Sequence, residues 1–445
     1  MRKARIAAPP TEELSATVTH QYFYFKFISK IYNGTSCASS DLAAVGVNSV
    51  VELTQQPVRT ASIRGQLRYW WRAIASVLMK KANQNTTLSD LREKEKHVWG
   101  LAGSASKVST TVYSKGGTTH GIGYNPLHES YALFPLQTKN NQDVRLHMVR
   151  EISDTWTLQC LFASDLDDED RSLVCDAVRA WMMFGGYGSR TRRGLGAVAQ
   201  VNENGFYIMI TPQAVHEFLE KYGTDDESNA IVGIPYMTTK WNSRQVNTLD
   251  SAYKFGFQRM RDFRQTIDKK IDTGRNPGNG VRPGRSRWPE PDAIRRRMRN
   301  YNGAHRPIHP IQGKFPRGVF GLPITFKFSG NGEPISTILQ PQGFERMASP
   351  IILKPIVLNG GQFCSSILVM KEKRDTPLCM ELRPENNQVG DPNVEGVVQH
   401  MLTSGDIQAV NRQAPNMRLP NAFREANTSD PIEAFYYFYA HYTPA

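Results

Sequence analysis

Thr155-Trp-Thr-Leu-Gln-Cys-Leu-Phe162 begins the stretch that decides the fold. Trp156, Leu158, Cys160 and Phe162 recur at every second position, the period of a half-buried strand. Asp165 to Asp170 come next, and negative charge at an amino end suits the helix dipole, so a helix is expected to run to about Phe184. A glycine-rich turn then leads into a strand from Leu195 to Val201. Strand, helix, strand is half of a split βαβ unit, and the residues before it supply the other half.

From Ala16 to Ile31 the chain alternates, with Phe23, Phe25 and Phe27 on one face and Tyr22, Tyr24 and Lys26 on the other. The phenylalanines belong to a core beneath the helices. A polar loop, Asn33 to Gln56, precedes a helix to about Lys81, with Ser62 as its cap and Leu67, Trp70, Trp71, Ile74 and Leu78 on one stripe. Val108 to Ser114 is a further strand. The order strand, helix, strand, strand, helix, strand predicts a ferredoxin-like domain over residues 15–210, after a flexible tail at 1–14.

Beyond it, residues 211–315 read as a basic, partly helical connecting or inserted segment. Trp241 to Pro310 alone holds 16 Lys and Arg against 6 Asp and Glu, most of the chain's excess positive charge. Gly318–Phe328, Ser349–Leu358 and Gln362–Met370 read as strands, the last two joined by Asn359, Gly360 and Gly361, where Asn-Gly favours a hairpin. With helices over Val394–Leu402 and Pro431–Tyr442, residues 316–445 are expected to complete a second ferredoxin-like domain, its aromatic tail Phe435 to Tyr439 packed in a core. The fold class is α+β.

A net charge of +13 and a pI near 9.5 favour a polyanionic partner such as nucleic acid over a neutral metabolite. Cys37, Cys160, Cys175, Cys364 and Cys379 contain no Cys-x-x-Cys pair, so zinc and redox work are not expected, and a reducing cytoplasm is. No apolar run reaches the roughly 20 residues a membrane helix needs. Neither metal nor cofactor is expected.

Two constellations bear on function. Arg64, Arg68 and Arg72 are spaced four apart, so on a helix they form one ridge able to track phosphates by forked hydrogen bonds. The competing reading is a solvated face, but no acidic residue between Val58 and Ser89 is there to pair with them. The second is Gly186-Tyr-Gly188, then a segment containing Arg190, Arg192 and Arg193, then Gly194-Leu-Gly196. Thr191 occupies the place of the third glycine of a dinucleotide fingerprint, and no Gly-Lys-Ser/Thr follows. Such glycines let backbone approach a ligand while the arginines supply charge.

This second pattern resembles the glycine-rich loop of the RAMP (repeat-associated mysterious protein) superfamily. Within that superfamily, Ser62 to Arg72 is similar to the first-helix signature of the Cmr-one subunit family of type III-B CRISPR complexes. Gly284-Arg-Ser-Arg-Trp-Pro-Glu-Pro-Asp292, Phe320-Gly-Leu-Pro323 and Arg346-Met-Ala-Ser-Pro350 resemble that family's later blocks. The resemblance implies tandem ferredoxin-like domains with a basic cleft, in a cytoplasmic ribonucleoprotein of antiviral defence. Single-stranded guide or target RNA and other RAMP subunits would be the partners. It points to Arg64, Arg68, Arg72, the Gly186 to Gly196 loop, Arg285, Arg287 and Arg346 as RNA contacts. Apart from the resemblance, Phe23, Phe25 and Phe27 read as core, which leaves Trp288 as the exposed stacking candidate.

Some RAMP relatives cut RNA, so a metal-independent endoribonuclease is the rival, and it would need a base near a bound phosphate. His20, His305, His309 and Asp41 are the candidates. Pro307 and Pro310 prevent a helix from aligning the second and third, which read as surface loop histidines. No catalytic residue is assigned.

Overall fold

In this computed structural model strand β1 (Thr19–Phe27) buries Phe23, Phe25 and Phe27, and Tyr22, Tyr24 and Lys26 alternate with them on the opposite face. The structure describes residues 18–32, 58–114, 119–121, 149–265, 287–297, 309–328, 333–385, 395–412 and 419–442. Helices α1 (Thr60–Ala82) and α2 (Leu88–Trp99), strands β2 (Val108–Ser114) and β3 (Thr155–Phe162), helix α3 (Asp168–Phe184) and strand β4 (Val198–Val201) follow. The sheet runs β2-β3-β1-β4 with every pair antiparallel, the ferredoxin-like arrangement expected. The Asp167 side chain caps α3 by accepting from the Asp170 N–H at 2.7 Å. Ser62 caps nothing: α1 starts two residues earlier, behind Arg59, which supplies no side-chain cap.

Helix α4 (Pro212–Tyr222), strand β5 (Pro235–Val246) and helix α5 (Leu249–Gln265) all lie inside 211–315, so that stretch builds part of the second unit. Helix α6 (Glu290–Arg297), strands β6 (Ile324–Phe326), β7 (Thr337–Pro341), β8 (Ile351–Leu358), β9 (Gln362–Glu372), β10 (Met380–Pro384) and β11 (Gly396–Val398), and helices α7 (Ser404–Asn411) and α8 (Pro431–His441) follow in order. One antiparallel sheet runs β8-β9-β5, which repeats the β2-β3-β1 order of the first unit. Helix α5 leads from β5 toward β8, and α8 follows β9, so the ferredoxin-like sequence of elements recurs without a described fourth strand. A second sheet, β11-β10-β7-β6, is added beside it.

Two expectations change here. The expected helix over Val394–Leu402 is not seen in its described residues, 395–402: Gly396 to Val398 extends and pairs with Met380 to Leu382, and a helix starts only at Ser404 behind the Thr403–Asp406 capping box. Gly318–Phe328 is mostly not strand. Pro316 and Pro323 have no N–H to give a ladder, leaving a 3-10 turn at Pro316–Phe320 and the three residues of β6.

The units stack in layers. One core runs from Phe25 through Trp181 of α3 and Trp70 and Trp71 of α1 to Ile352, Leu368 and Met370 of the second sheet. The helices of the first unit are thus covered by a sheet on each side, which is why Trp70, Trp71 and every residue from Ala73 to Val77 are buried. On the far face of the second sheet, Ile351, Leu353, Ile367 and Val369 pack with Phe263 of α5 and with Phe435 and Tyr439 of α8. The aromatic tail is core. Lys354, 2% exposed on β8, donates to the carbonyl of Met182 in the last turn of α3, where the helix dipole favours a cation. Burial pushes its ammonium well below the usual lysine range.

Candidate nucleic-acid interface

Arg64, Arg68 and Arg72 do share one side of α1, but α2 packs along it. The Arg64 guanidinium donates to the carbonyl of Trp99 and, at 3.2 Å, to the Ser106 hydroxyl. Arg68 and Arg72 both pair at 2.8 Å with one oxygen, Oε1 of Glu95, itself 7% exposed. The acidic partner missing from α1 is supplied by the next helix. Helix α2 escaped the sequence reading because it is mostly charged, yet Thr87 and Asp90 form a capping box and Gly100 ends it, a legible start and stop. A single carboxylate serves the ridge, and the Arg68 and Arg72 side chains remain 25% and 35% exposed, so positive charge still faces solvent.

The glycine-rich loop joins the two units. Arg192 donates to the carbonyl of Ser349 and, at 2.9 Å, to the Tyr69 hydroxyl, while its own carbonyl accepts from the Leu353 N–H at 3.1 Å. Arg193 donates to the Ser349 hydroxyl at 3.2 Å and to the Phe320 carbonyl at 3.1 Å. Its glycines serve the approach of the chain to itself and to β8. Tyr69 lies on α1, so the two constellations singled out in the sequence meet at the Tyr69–Arg192 contact. Burial pushes the Tyr69 phenol up, which keeps it neutral.

Arg192 also separates two cavities. One, of about 210 Å³, is lined by Gln66, Tyr69, Trp70, Thr191, Arg192 and Ile352 among others. The other is a cleft of about 530 Å³ that reaches Lys371, Arg374 and His400 but also Asp225, Glu227 and Asp430. Its mixed charge suits a polyanion less well than the α1 ridge does.

The remaining candidates scatter. Arg346 is exposed and Arg285 lies outside the described residues, as do His305, Asp41 and Cys37. Arg287 is 8% exposed. Trp288 is no exposed stacking residue: it is 1% exposed, with its ring 5.7 Å from Phe263 and 6.0 Å from Phe423, because α5 and the residues before α8 close a core around it. His309 is not a surface histidine either. It is buried, within 2.9 Å of the Arg287 carbonyl through Nε2, and its Nδ1 accepts from the Ile311 N–H. Among the described residues no group of three His, Cys, Asp or Glu is placed to hold a metal ion, and no helix is long and apolar enough to cross a membrane.

Burial holds the His309 imidazole below its ordinary value, opposed by the hydrogen bond from Nε2 to the Arg287 carbonyl. The unfolded chain therefore takes up a proton that the folded chain refuses, and stability falls as pH drops below about 6.5. His309→Gln should flatten that acid limb in urea unfolding at pH 5 to 7. An unchanged limb would assign it to other groups, His400 first, since burial lowers it too.

With this geometry in view, residues 24–199 match the family model described as the RAMP superfamily. Over that stretch, less than half of its length, the chain is similar to the superfamily. The matched segment runs from β1 into β4 and holds both the arginine ridge and the glycine-rich loop. Among solved structures, the apo crystal structure of Cmr1 from Pyrococcus furiosus is similar at 15% identity and a TM-score of 0.44, over 89% of this chain and 97% of that one. A chain of the cryo-EM structure of the type III-B Cmr-beta bound to cognate target RNA is similar at 10% identity and a TM-score of 0.46, over 80% and 94%. A third, from that complex with cognate target RNA, AMPPnP and ssDNA, gives 11% and 0.44, over 80% and 96%. No curated protein matches the chain in sequence.

Proposed function

We propose that this chain is a non-catalytic, RNA-binding subunit of a type III-B CRISPR effector ribonucleoprotein, contacting guide or target RNA and neighbouring RAMP subunits. The observation that carries this reading is the meeting of the α1 ridge and the glycine-rich loop at Tyr69 and Arg192, inside the RAMP-like segment of a strongly basic chain. The sequence blocks similar to the Cmr-one family supply the choice of complex. Arg68 and Arg72 hold backbone phosphates on their solvent side while Glu95 fixes their orientation, and Arg346 adds an exposed cation. Recognition of this kind is largely independent of base sequence. Of the two candidate bases in the basic segment, the described one, His309, is buried in hydrogen bonds to backbone, which disfavours its use as a nuclease base.

Incubation of the full chain with end-labelled single-stranded RNA across a salt series tests this reading. Binding should weaken steeply, with a log–log slope of about −0.7 for each phosphate neutralised, and the RNA should stay intact. A flat salt response removes the phosphate mechanism; cuts abolished by His20→Ala restore the nuclease.

A further inference from the structure

The two principal sheets have four faces, and three of them are buried. The inner face of the first sheet and one face of the second close on α1 and α3, and the other face of the second closes on α5 and α8. Among the described residues the outer face of the first sheet is left, apart from its end at Lys26 and Thr155, where the turn at Gly205 lies against it. Directly opposed residues of an antiparallel pair share a face, so the register sets Tyr22 beside Gln159 and places Tyr24 and Tyr113 on either side of Thr157. Tyr22 and Tyr113 are 42% and 40% exposed, large values for rings in the body of a sheet.

These rings are held in place. The Gln159 amide donates to the Tyr22 hydroxyl at 3.3 Å and lies 3.1 Å from Nδ1 of His20. The His20 and Tyr22 rings are 18° from parallel, with centroids 6.3 Å apart. Strands β1, β2 and β3 contain no acidic residue, and Lys26 continues the tyrosine row. A face meant for a protein partner would be expected to carry aliphatic side chains; on these three strands the outward set includes one, Leu161. Flat, oriented aromatic rings with hydrogen-bonding neighbours and no negative charge suit the π-faces of nucleobases.

We propose that this outer face is a base-stacking platform for single-stranded RNA, with Tyr22 and Tyr113 as the principal rings. It rests on the proposed RNA-binding role only for the choice of polymer. The platform lies on the side of the sheet away from α1, so a strand held by the arginine ridge would reach it by passing around the sheet edge.

The test uses the full chain with oligouridylate and with an abasic ribose-phosphate oligomer of equal length. Tyr22→Leu with Tyr113→Leu should weaken oligouridylate binding roughly tenfold or more and leave the abasic oligomer unaffected, and Tyr22→Phe with Tyr113→Phe should bind as the parent does. RNA carrying 4-thiouridine should crosslink to peptides holding Tyr22 or Tyr113. Parent-level oligouridylate binding by the leucine variant, or crosslinks confined to other peptides, overturns the platform and leaves salt-sensitive binding at the ridge standing. A leucine variant that keeps RNA but loses a partner subunit overturns it in favour of a protein interface. Absence of any RNA binding by the parent chain removes both proposals.

Discussion

Gly196→Ala is expected to destabilise the protein by roughly 3 kcal/mol or more, measured as the shift in urea unfolding at neutral pH. Gly196 has φ +60, and a Cβ there would lie 1.8 Å from the carbonyl oxygen of Tyr187, a backbone atom that cannot rotate away. Around it the Tyr187 N–H donates to the Gly196 carbonyl at 2.8 Å, and the Gly196 N–H donates to Lys30 at 2.7 Å. The two ends of the loop are pressed together, and closing them sets where Arg192 and Arg193 meet the second unit. Gly360→Ala is the control: its φ of +76 carries a similar backbone penalty, but nothing lies within 4 Å of the added atom, so about 1 kcal/mol is expected. Equal losses in the two variants would mean that the loop relaxes and the crowding is unimportant.

The contrast shows which parts of the site the sequence could carry. The spacing of glycines around Arg190, Arg192 and Arg193 identified the loop, because glycine is needed wherever backbone crowds or φ is positive. Whether the crowding atom belongs to a ligand or to the protein itself is not written in the spacing, and here it is Tyr187. The first sheet was legible for a simple reason: Phe23, Phe25 and Phe27, and Trp156 to Phe162, each bury one face, and a period of two follows. Strand β8 lacks that signal because both its faces are covered, by α1 and α3 on one side and α5 and α8 on the other. A doubly buried strand loses its alternation. Strand β5 reads as part of a connection for another reason: only Tyr236, Met237, Thr238 and Trp241 of it are buried, and the rest is mostly polar. Trp288 misled for a related reason: it follows a run rich in arginine, glycine and proline, but the ring itself reaches into the core around Phe263.

Glu95→Gln separates the two roles of the arginine ridge, because stability and RNA affinity should move in opposite directions. Arg68 and Arg72 share its Oε1 at 2.8 Å, so loss of the charge leaves two guanidiniums facing a neutral amide. Were all three groups fully buried the cost would be several kcal/mol. The arginine side chains keep 25% and 35% exposure and water can take over part of their solvation, so about 1–2 kcal/mol of destabilisation is expected. The same change adds one unit of positive charge to the ridge. RNA affinity at low salt should therefore rise several-fold and the salt slope steepen by about 0.7, the equivalent of one further phosphate on a single strand. Substituting Arg68 and Arg72 by Ala is a poorer probe, since it strands the buried Glu95 carboxylate and confuses folding with binding. Arg68→Gln, Arg72→Gln and Glu95→Gln together remove that conflict and should weaken RNA binding with a shallower slope. If Glu95→Gln lowers RNA affinity in step with stability, the ridge is a structural clamp between α1 and α2, and the phosphates are held elsewhere.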